Sequence, residues 1–262
     1  MFGDSRSVKE ETMTTLRKAL AASALLSVAP MAATAAEDSA QESWIPGSFT
    51  ANAAITSDYV FRGISQSNNN VAIQGGLDWD TGAGFHFGAW ASSLNFKDNS
   101  EASAEVDLYG GYAGKIGEKL SYDVGFIYYW YPGAAGDLNY DLWEVYGKAA
   151  YDFGVAAVNF GVNYSPDNFG GTGNATYVST SLAVPVAEML SVSAGLNRYF
   201  LDQGRTTTPD YWDWNIGAKL NVNNWFNLDA RYYDTDIAGN CLAPGGKHWC
   251  GSKGVVTISR SF

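Results

Sequence analysis

The chain has 262 residues, of which 15% are aromatic and only 16% are charged, and its formal net charge is −11. In a soluble domain about a quarter of the residues are charged, so this composition favours a protein that faces lipid. The acidic balance excludes nucleic acid as a partner, because binding it requires a basic surface.

Residues 1–36 have the pattern of a cleaved signal peptide. Two bases are followed by a short apolar run over 19–29 and by small residues at 33–35, where a signal peptidase could cut. The apolar run is too short to cross a bilayer as a helix. Three acids precede Met13, which is atypical of such a signal, so we predict that translation starts at Met13. A soluble amphipathic helix is the alternative.

The segment 37–47 is polar and predicts a short periplasmic leader before a single domain over 48–262. Within that domain, apolar and polar side chains alternate with a period of two, in stretches divided by Gly, Pro, Asn and Asp. Stretches of about 11–13 residues exceed the strands of soluble sheets and suit tilted strands that cross a bilayer. The twelve predicted strands are 48–63, 70–80, 84–96, 102–115, 119–131, 141–153, 155–165, 175–186, 189–200, 211–222, 225–235 and 253–262.

The connections between these strands alternate in length. Those after even-numbered strands are short, and those after odd-numbered strands are long, except for the brief connection 97–101. Short periplasmic turns and long external loops are typical of outer-membrane barrels, and an even strand count puts both mature termini in the periplasm. We therefore predict an all-β fold, a single antiparallel transmembrane β-barrel of about 12 strands in the cell outer membrane.

Aromatic residues near the predicted strand ends suggest two interfacial girdles that contact outer-membrane lipid, and an ordinary position in the core is the alternative for each of them. The final strand ends at Phe262. A terminal Phe there is typical of the signal that the bacterial barrel-assembly machinery binds, so we expect that machinery as a partner. The predicted girdle residues are Tyr59, Phe61, Tyr128, Trp130, Trp212 and Trp214 at the outer ends, and Trp225 and Phe226 at the inner rim.

The two cysteines, Cys241 and Cys250, lie in the last long connection. An exported protein meets an oxidising compartment, so we predict a disulfide between them. Metal binding together with His248 is the alternative, but two Cys and one His make an incomplete zinc set. We predict neither a metal nor a cofactor.

The stretch Thr56–Trp79 contains the pattern S-D-Y-x-F-R-G-x-S-Q, which resembles the opening block of the TorF-type porin family, the Gcw_chp-type outer-membrane proteins of proteobacteria. Asp107–Gly133, Glu144–Gly154 and Val255–Phe262 resemble later blocks of that family. The resemblance implies an outer-membrane barrel that acts as a porin for small organic solutes. It brings no catalytic residues, and the connection that holds the cysteines is not part of the pattern.

If the apolar face of each strand contacts lipid, the other face points inward and carries eight acids and four bases. These side chains either line a narrow aqueous pore with an acidic bias or pair across strands and fill the lumen. Asp58 and Arg62 share one face of the first predicted strand, where they either contact solute or set the strand register. The predicted pore-lining residues are Asp58, Arg62, Asp78, Glu105, Asp107, Asp123, Glu144, Lys148, Asp213, Lys219, Asp229 and Arg231.

The predicted function is an outer-membrane porin for passive diffusion of small hydrophilic solutes, with cationic or dipolar solutes favoured by the acidic lumen. A closed structural or adhesive barrel without transport is the alternative. An outer-membrane lipid hydrolase is a third hypothesis and would need a nucleophile, a base and an orienting group. His86 and His248 are the two histidines, and neither has a serine motif such as G-x-S-x-G beside it. We therefore predict that the chain is not an enzyme.

Overall fold

The computed structural model describes residues 46–97, 102–222, 225–238, 241 and 248–262. The predicted signal peptide and most of the predicted leader lie outside these residues. In the described chain, twelve antiparallel strands close into one barrel, as predicted, and β1 pairs with both β2 and β12. The strands are β1 Ser48–Thr56, β2 Ala72–Asp80, β3 Phe85–Ser93, β4 Ala104–Ile116, β5 Leu120–Trp130, β6 Leu142–Asp152, β7 Ala157–Ser165, β8 Ala175–Ala187, β9 Leu190–Leu201, β10 Tyr211–Val222, β11 Phe226–Thr235 and β12 Lys253–Ser261.

The two faces of each strand differ as the alternation predicts, because successive side chains of a strand point to opposite sides. In β5, Val124 and Phe126 are 50% and 44% exposed on the outside, whereas Ile127 and Tyr129 are buried inside. The other strands also present large apolar side chains outward. A barrel satisfies its backbone hydrogen bonds within the sheet, so this apolar exterior can face lipid.

The two ends of the barrel differ in the length of their connections. We call the end with the short turns the turn end and the opposite end the loop end. A 3-10 helix, Gly136–Leu138, lies in one loop; in the described ranges, no helix is long and apolar enough to cross a membrane. The prediction of a brief connection over 97–101 is wrong, because β3 already ends at Ser93 and β4 begins at Ala104. The loop-end connections are 57–71, 94–103, 131–141, 166–174, 202–210 and 236–252.

The first strand is shorter than predicted. β1 ends at Thr56, and residues 57–71, which we call the inward segment, turn into the barrel. Within this segment, Val60–Phe61 pairs with Ile64–Ser65 as a small hairpin. The two turn residues of the hairpin, Arg62 and Gly63, have φ angles of 48° and 79°. Positive φ at both positions is the geometry of a type I′ hairpin turn and cannot continue a strand, which explains why the prediction of a strand over 48–63 fails.

Gly63 allows this hairpin to fit against the barrel wall. A Cβ on Gly63 would lie 2.4 Å from Thr235 Cγ2 and 2.9 Å from Asp213 Cβ. We expect Gly63→Ala to weaken the seating of the hairpin by about 1–3 kcal/mol, through positive φ and overpacking. Trypsin should then cleave after Arg62, which is buried in the unmodified protein.

The matched control for this substitution is Gly147→Ala in β6, where a Cβ would meet nothing within 4 Å. Equal rates of cleavage after Arg62 in both variants would contradict the tight fit of Gly63.

Candidate functional site

The inward segment lies between two cavities inside the barrel. The cavity toward the turn end, which we call the turn-end cavity, has a volume of about 410 Å³ and is lined mainly by polar and charged side chains of the strands. The cavity toward the loop end, which we call the loop-end cavity, has a volume of about 290 Å³ and is lined mainly by aromatic and aliphatic side chains. Phe61 and Arg62 line both cavities, so the tip of the hairpin is where they adjoin.

Arg62 is held by a buried ion pair and by aromatic rings. Its Nη2 donates to Glu144 Oε2 at 2.7 Å, and both side chains are nearly inaccessible. The Arg62 carbonyl accepts a hydrogen bond from Tyr211 Oη at 3.0 Å. An arginine over ring faces gains cation–π attraction, which is strongest away from water. The guanidinium carbon lies 4.7 Å, 4.5 Å and 4.7 Å from the ring centres of Phe61, Tyr177 and Tyr199.

Two further carboxyl groups are buried near this ion pair. Glu105 accepts a hydrogen bond from Tyr59 Oη at 2.6 Å, whereas neither oxygen of the fully buried Asp107 has a hydrogen-bond partner among the described residues. Burial, reinforced by the charge of Glu105, raises the pKa of Tyr59 well above its usual range, so this tyrosine stays a donor. The described residues hold no group of three or more acids, histidines or cysteines arranged to bind a metal ion.

Asp58 organises the rest of the inward segment. Its Oδ1 accepts hydrogen bonds from Ser65 Oγ at 2.6 Å and Ser67 Oγ at 2.8 Å, and its Oδ2 lies 3.7 Å from Lys253 Nζ in β12. The prediction that Asp58 and Arg62 share a face of the first strand is therefore wrong, because both lie beyond the end of β1. Each nevertheless pairs with another strand.

Tyr59 and Phe61 were predicted in the outer aromatic girdle, and this prediction is also wrong. Tyr59 is buried against Glu105, and Phe61 lines both cavities, because the chain has left the barrel wall before these positions. Trp130 and Trp212, by contrast, are exposed on the outside near the loop end, and Trp225 is exposed near the turn end.

The last loop fastens the inward segment from the loop end. Trp249 O accepts from Ser65 N at 2.9 Å, and Trp249 Nε1 donates to Asn68 Oδ1 at 3.1 Å. Trp249 N also donates to Cys241 O at 3.0 Å. Cys241 is bonded to Cys250 as predicted, so the disulfide holds the part of the loop that contacts the segment.

A histidine and two acids lie toward the turn end, on β2, β3 and β5. His86 Nε2 is 2.9 Å from Asp123 Oδ1, and Asp78 Oδ1 accepts from Tyr109 Oη at 2.5 Å. His86 Nδ1 has no hydrogen-bond partner in the described chain. Among the described residues, no serine or cysteine forms the hydrogen bond with His86 that a hydrolytic triad would require.

The opposite wall carries a second polar network near the turn end. Arg231 contacts Asp229 at 3.1 Å and donates to Asn215 Oδ1 at 2.7 Å and to Ser193 Oγ at 2.9 Å. Lys219 lies opposite Asp229 in the ladder between β10 and β11. The pair of Arg231 with Asp229 lies within β11, whereas the contacts of Arg231 with Asn215 and Ser193 cross strands, as the hypothesis of a paired lumen requires. The side chains also line the turn-end cavity.

The structure separates the twelve predicted pore-lining residues into two groups. Lys148 lies over the Tyr146 ring at 4.4 Å, and Asp213 accepts from Asn197 and Tyr177 at 2.7 Å and 3.0 Å. The residues that line the turn-end cavity are Asp58, Arg62, Asp78, Lys148, Asp213, Lys219, Asp229 and Arg231. The residues that line neither cavity are Glu105, Asp107, Asp123 and Glu144.

The inward-facing tyrosines at the loop end were missing from the predicted site. Tyr129, Tyr177, Tyr199 and Tyr211 line the loop-end cavity, the turn-end cavity or both. Their positions could have been found from the alternation. Tyr177, Tyr199 and Tyr211 each lie two residues from an inward side chain of the same strand, namely Ser179, Asn197 and Asp213, and therefore point inward as well. The inward orientation of these tyrosines was missed because all aromatic residues were expected on the lipid face.

Comparisons with known proteins agree with the barrel architecture. The KdgM porin has a TM-score of 0.56 at 7% identity, covering 81% of this chain and 99% of that chain. The NanC porin has a TM-score of 0.52 at 13% identity, covering 81% of this chain and 98% of that chain. A KdgM porin "in complex with disordered oligogalacturonate" has a TM-score of 0.54 at 6% identity, covering 82% of this chain and 98% of that chain. At such identities the likeness shows the fold alone.

No curated protein matches the chain. A family model does match, over residues 40–262, and it is described as "Bacterial protein of unknown function (Gcw_chp)". This match confirms the family resemblance expected from the opening block and the later blocks. The chain belongs to the Gcw_chp family of bacterial proteins.

Proposed function

We propose that this protein is an outer-membrane channel for the passive diffusion of small hydrophilic solutes, and that the inward segment is its constriction. The observation that carries the proposal is a cavity of about 410 Å³, lined by polar and charged side chains, inside a closed barrel with an apolar exterior. A polar interior inside a lipid-facing barrel is the arrangement of water-filled porins.

The architecture of known small porins supports this proposal, since KdgM and NanC have the same fold and are named as porins. By the usual orientation of such barrels, we place the loop end outside the cell and both mature termini in the periplasm. We also propose that the barrel-assembly machinery recognises the chain through Phe262, which follows the last strand.

Solute preference follows from the charges in the wall. Acids and bases are equally numerous among the eight predicted residues that line the turn-end cavity. Four further carboxyl groups of the strands line neither cavity, and those that are ionised extend their field into the low-dielectric interior. They are Glu105, Asp107, Asp123 and Glu144. We therefore propose that the channel favours cations and dipolar solutes over anions.

Reversal potentials in planar bilayers test this preference. With a KCl gradient across the bilayer, we expect a potassium-to-chloride permeability ratio of roughly 3 for the unmodified protein. Lys219→Gln should raise the ratio and Asp229→Asn should lower it, because the two side chains face each other near the turn end. A chloride-selective channel, or a ratio that neither substitution alters, would contradict the proposed role of these charges.

A closed structural barrel is the second candidate, and the position of the inward segment between the cavities favours it. The two candidates differ in one result. A channel conducts with the segment in place, whereas a closed barrel conducts only after the segment is removed or never conducts.

A further inference from the structure

We propose that the loop-end cavity is a binding site for one small, uncharged aromatic molecule that carries a hydrogen-bond-accepting oxygen. The proposal deepens the proposed function, because it names a class of solute captured at the mouth of the channel, and it rests on that function for its physiological use. The binding itself can be measured without transport.

The walls of this cavity are dominated by rings. Phe96, Tyr131, Phe169 and Trp249 come from four different loops, and the Phe96 ring lies 6.1 Å, 5.7 Å and 6.4 Å from the rings of Tyr131, Phe169 and Trp249. An apolar cavity of ~150 Å³ already holds a benzene ring. The volume of about 290 Å³ therefore leaves room for one ring and a substituent.

The hydroxyl groups of the lining tyrosines are already engaged. Tyr129 donates to Glu144 at 3.1 Å, Tyr199 to Asn168 at 2.9 Å, and Tyr211 to the Arg62 carbonyl at 3.0 Å. These tyrosines therefore offer ring surface to a ligand, and offer little hydrogen bonding.

Three other polar side chains of the lining are also engaged within the protein. Ser65 Oγ donates to Asp58, Thr172 Oγ1 to Phe169 O, and Gln66 Nε2 to Ile64 O. A polyol such as a sugar would leave most of its hydroxyl groups unpaired in this site, which costs free energy for each buried group. This excludes sugars as the preferred occupant.

Arg62 supplies the polar contact that a ligand could use. This residue lines the cavity, is 9% exposed, and has a buried Nη1 atom without a hydrogen-bond partner among the described residues. An oxygen acceptor on the ligand would satisfy that donor, which is otherwise buried without a partner at a cost in free energy.

The charges around the site select an uncharged ligand. A cation would lose its hydration in this cavity, where the one charged residue among the described lining residues, Arg62, is itself positive, while the carboxyl groups of Glu105, Asp107 and Glu144 line neither cavity. Glu144 already neutralises Arg62, and Glu105 and Asp107 add buried carboxyl groups nearby, so an anion gains no uncompensated positive charge. A neutral acceptor avoids both penalties.

Three planar molecules of the same shape test this selection: benzamide is neutral, benzoate is negative and benzamidine is positive. Isothermal titration calorimetry of the full-length protein in lipid nanodiscs should show saturable binding of benzamide, at least about 10-fold tighter than benzoate or benzamidine. Phe169→Ala and Arg62→Met should each weaken benzamide binding by about 10-fold, because one removes ring contact and the other the donor.

The control substitution is Arg198→Met. Arg198 also stacks on two rings, Phe200 and Trp212, but it lines neither cavity, so benzamide affinity should not change. A heat-dependent shift in gel migration shows for each variant that the barrel is folded. If Arg62→Met displaces the inward segment, Phe169→Ala still tests the contribution of the cavity wall to binding.

The inference is overturned if benzamide does not bind, if either charged analogue or glucose binds as tightly, or if Phe169→Ala has no effect. Conductance measured on the same preparation separates this failure from failure of the proposed function, because a channel that conducts without binding benzamide refutes the inference alone.

Discussion

Replacement of residues 58–70 by a short glycine-rich turn is expected to raise the single-channel conductance at least about threefold. The replacement joins the turn-end cavity to the loop-end cavity, which the inward segment now separates. The barrel should tolerate it, because Thr56 and Ala72 are register partners in the ladder between β1 and β2, so a tight turn can connect the two strands there.

A matched control shortens a stretch of loop whose own residues line neither cavity. Residues 133–138 in the connection between β5 and β6 meet this condition, and their replacement by the same turn should leave the conductance within error of the unmodified value. Equal conductance in the control and in the variant without the inward segment would show that the constriction lies elsewhere.

The buried pair between Arg62 and Glu144 gives the second large effect. Removing one partner leaves the other as an uncompensated buried charge, which costs about 3–5 kcal/mol. Arg62→Met should have the larger effect, because Glu105 as well as Glu144 then loses the cation near it. The double variant Arg62→Met with Glu144→Gln should lose less than the sum of the single variants.

Hydrogen exchange measures this effect directly in the inward segment. In the single variants, the peptide that contains Gln66 should exchange about two to three orders of magnitude faster, since its N–H donates to Tyr59 O at 2.7 Å only while the segment is folded. Arg231→Met, which breaks an ion pair near the turn end, should leave this peptide unchanged. An unchanged rate in Arg62→Met would mean that the pair does not hold the segment.

The barrel could be predicted from the sequence because its physics is local and repetitive. The alternation of side chains along a strand is fixed by geometry, and lipid requires one face to be apolar, so residues such as Val124 and Phe126 were assigned correctly from their spacing alone. The strand count and the pairing order follow, because sequential antiparallel strands with no free edge admit few arrangements.

The inward segment could not be predicted by the same reasoning. Tyr59, Phe61 and Arg62 continue the apparent alternation of β1, but the pair Arg62-Gly63 adopts positive φ and reverses the chain inside the barrel. An Asn-Gly or Asp-Gly pair would have predicted such a turn, whereas an Arg-Gly pair does not. What stabilises it is non-local, since its partners Glu105, Glu144 and Trp249 lie on β4, β6 and the last loop.

The site itself was predicted in part. Alternation identified the inward charged residues, but it could not show that Glu105, Asp107 and Glu144 lie beneath the inward segment, because their burial depends on where residues 57–71 go. The loop-end cavity was beyond prediction for the same reason: its walls come from separate loops, and loop conformation carries no periodic signal.

Cysteine labelling on intact cells tests most directly whether the inward segment separates the loop-end cavity from the turn-end cavity. Thr208→Cys places a thiol in the loop-end cavity and Ser259→Cys places one in the turn-end cavity, while both native cysteines are held in the disulfide. A membrane-impermeant maleimide added outside should label Thr208→Cys at least about 10-fold faster than Ser259→Cys, and the two rates should converge once residues 58–70 are replaced. Equal labelling rates with the segment in place would contradict the separation.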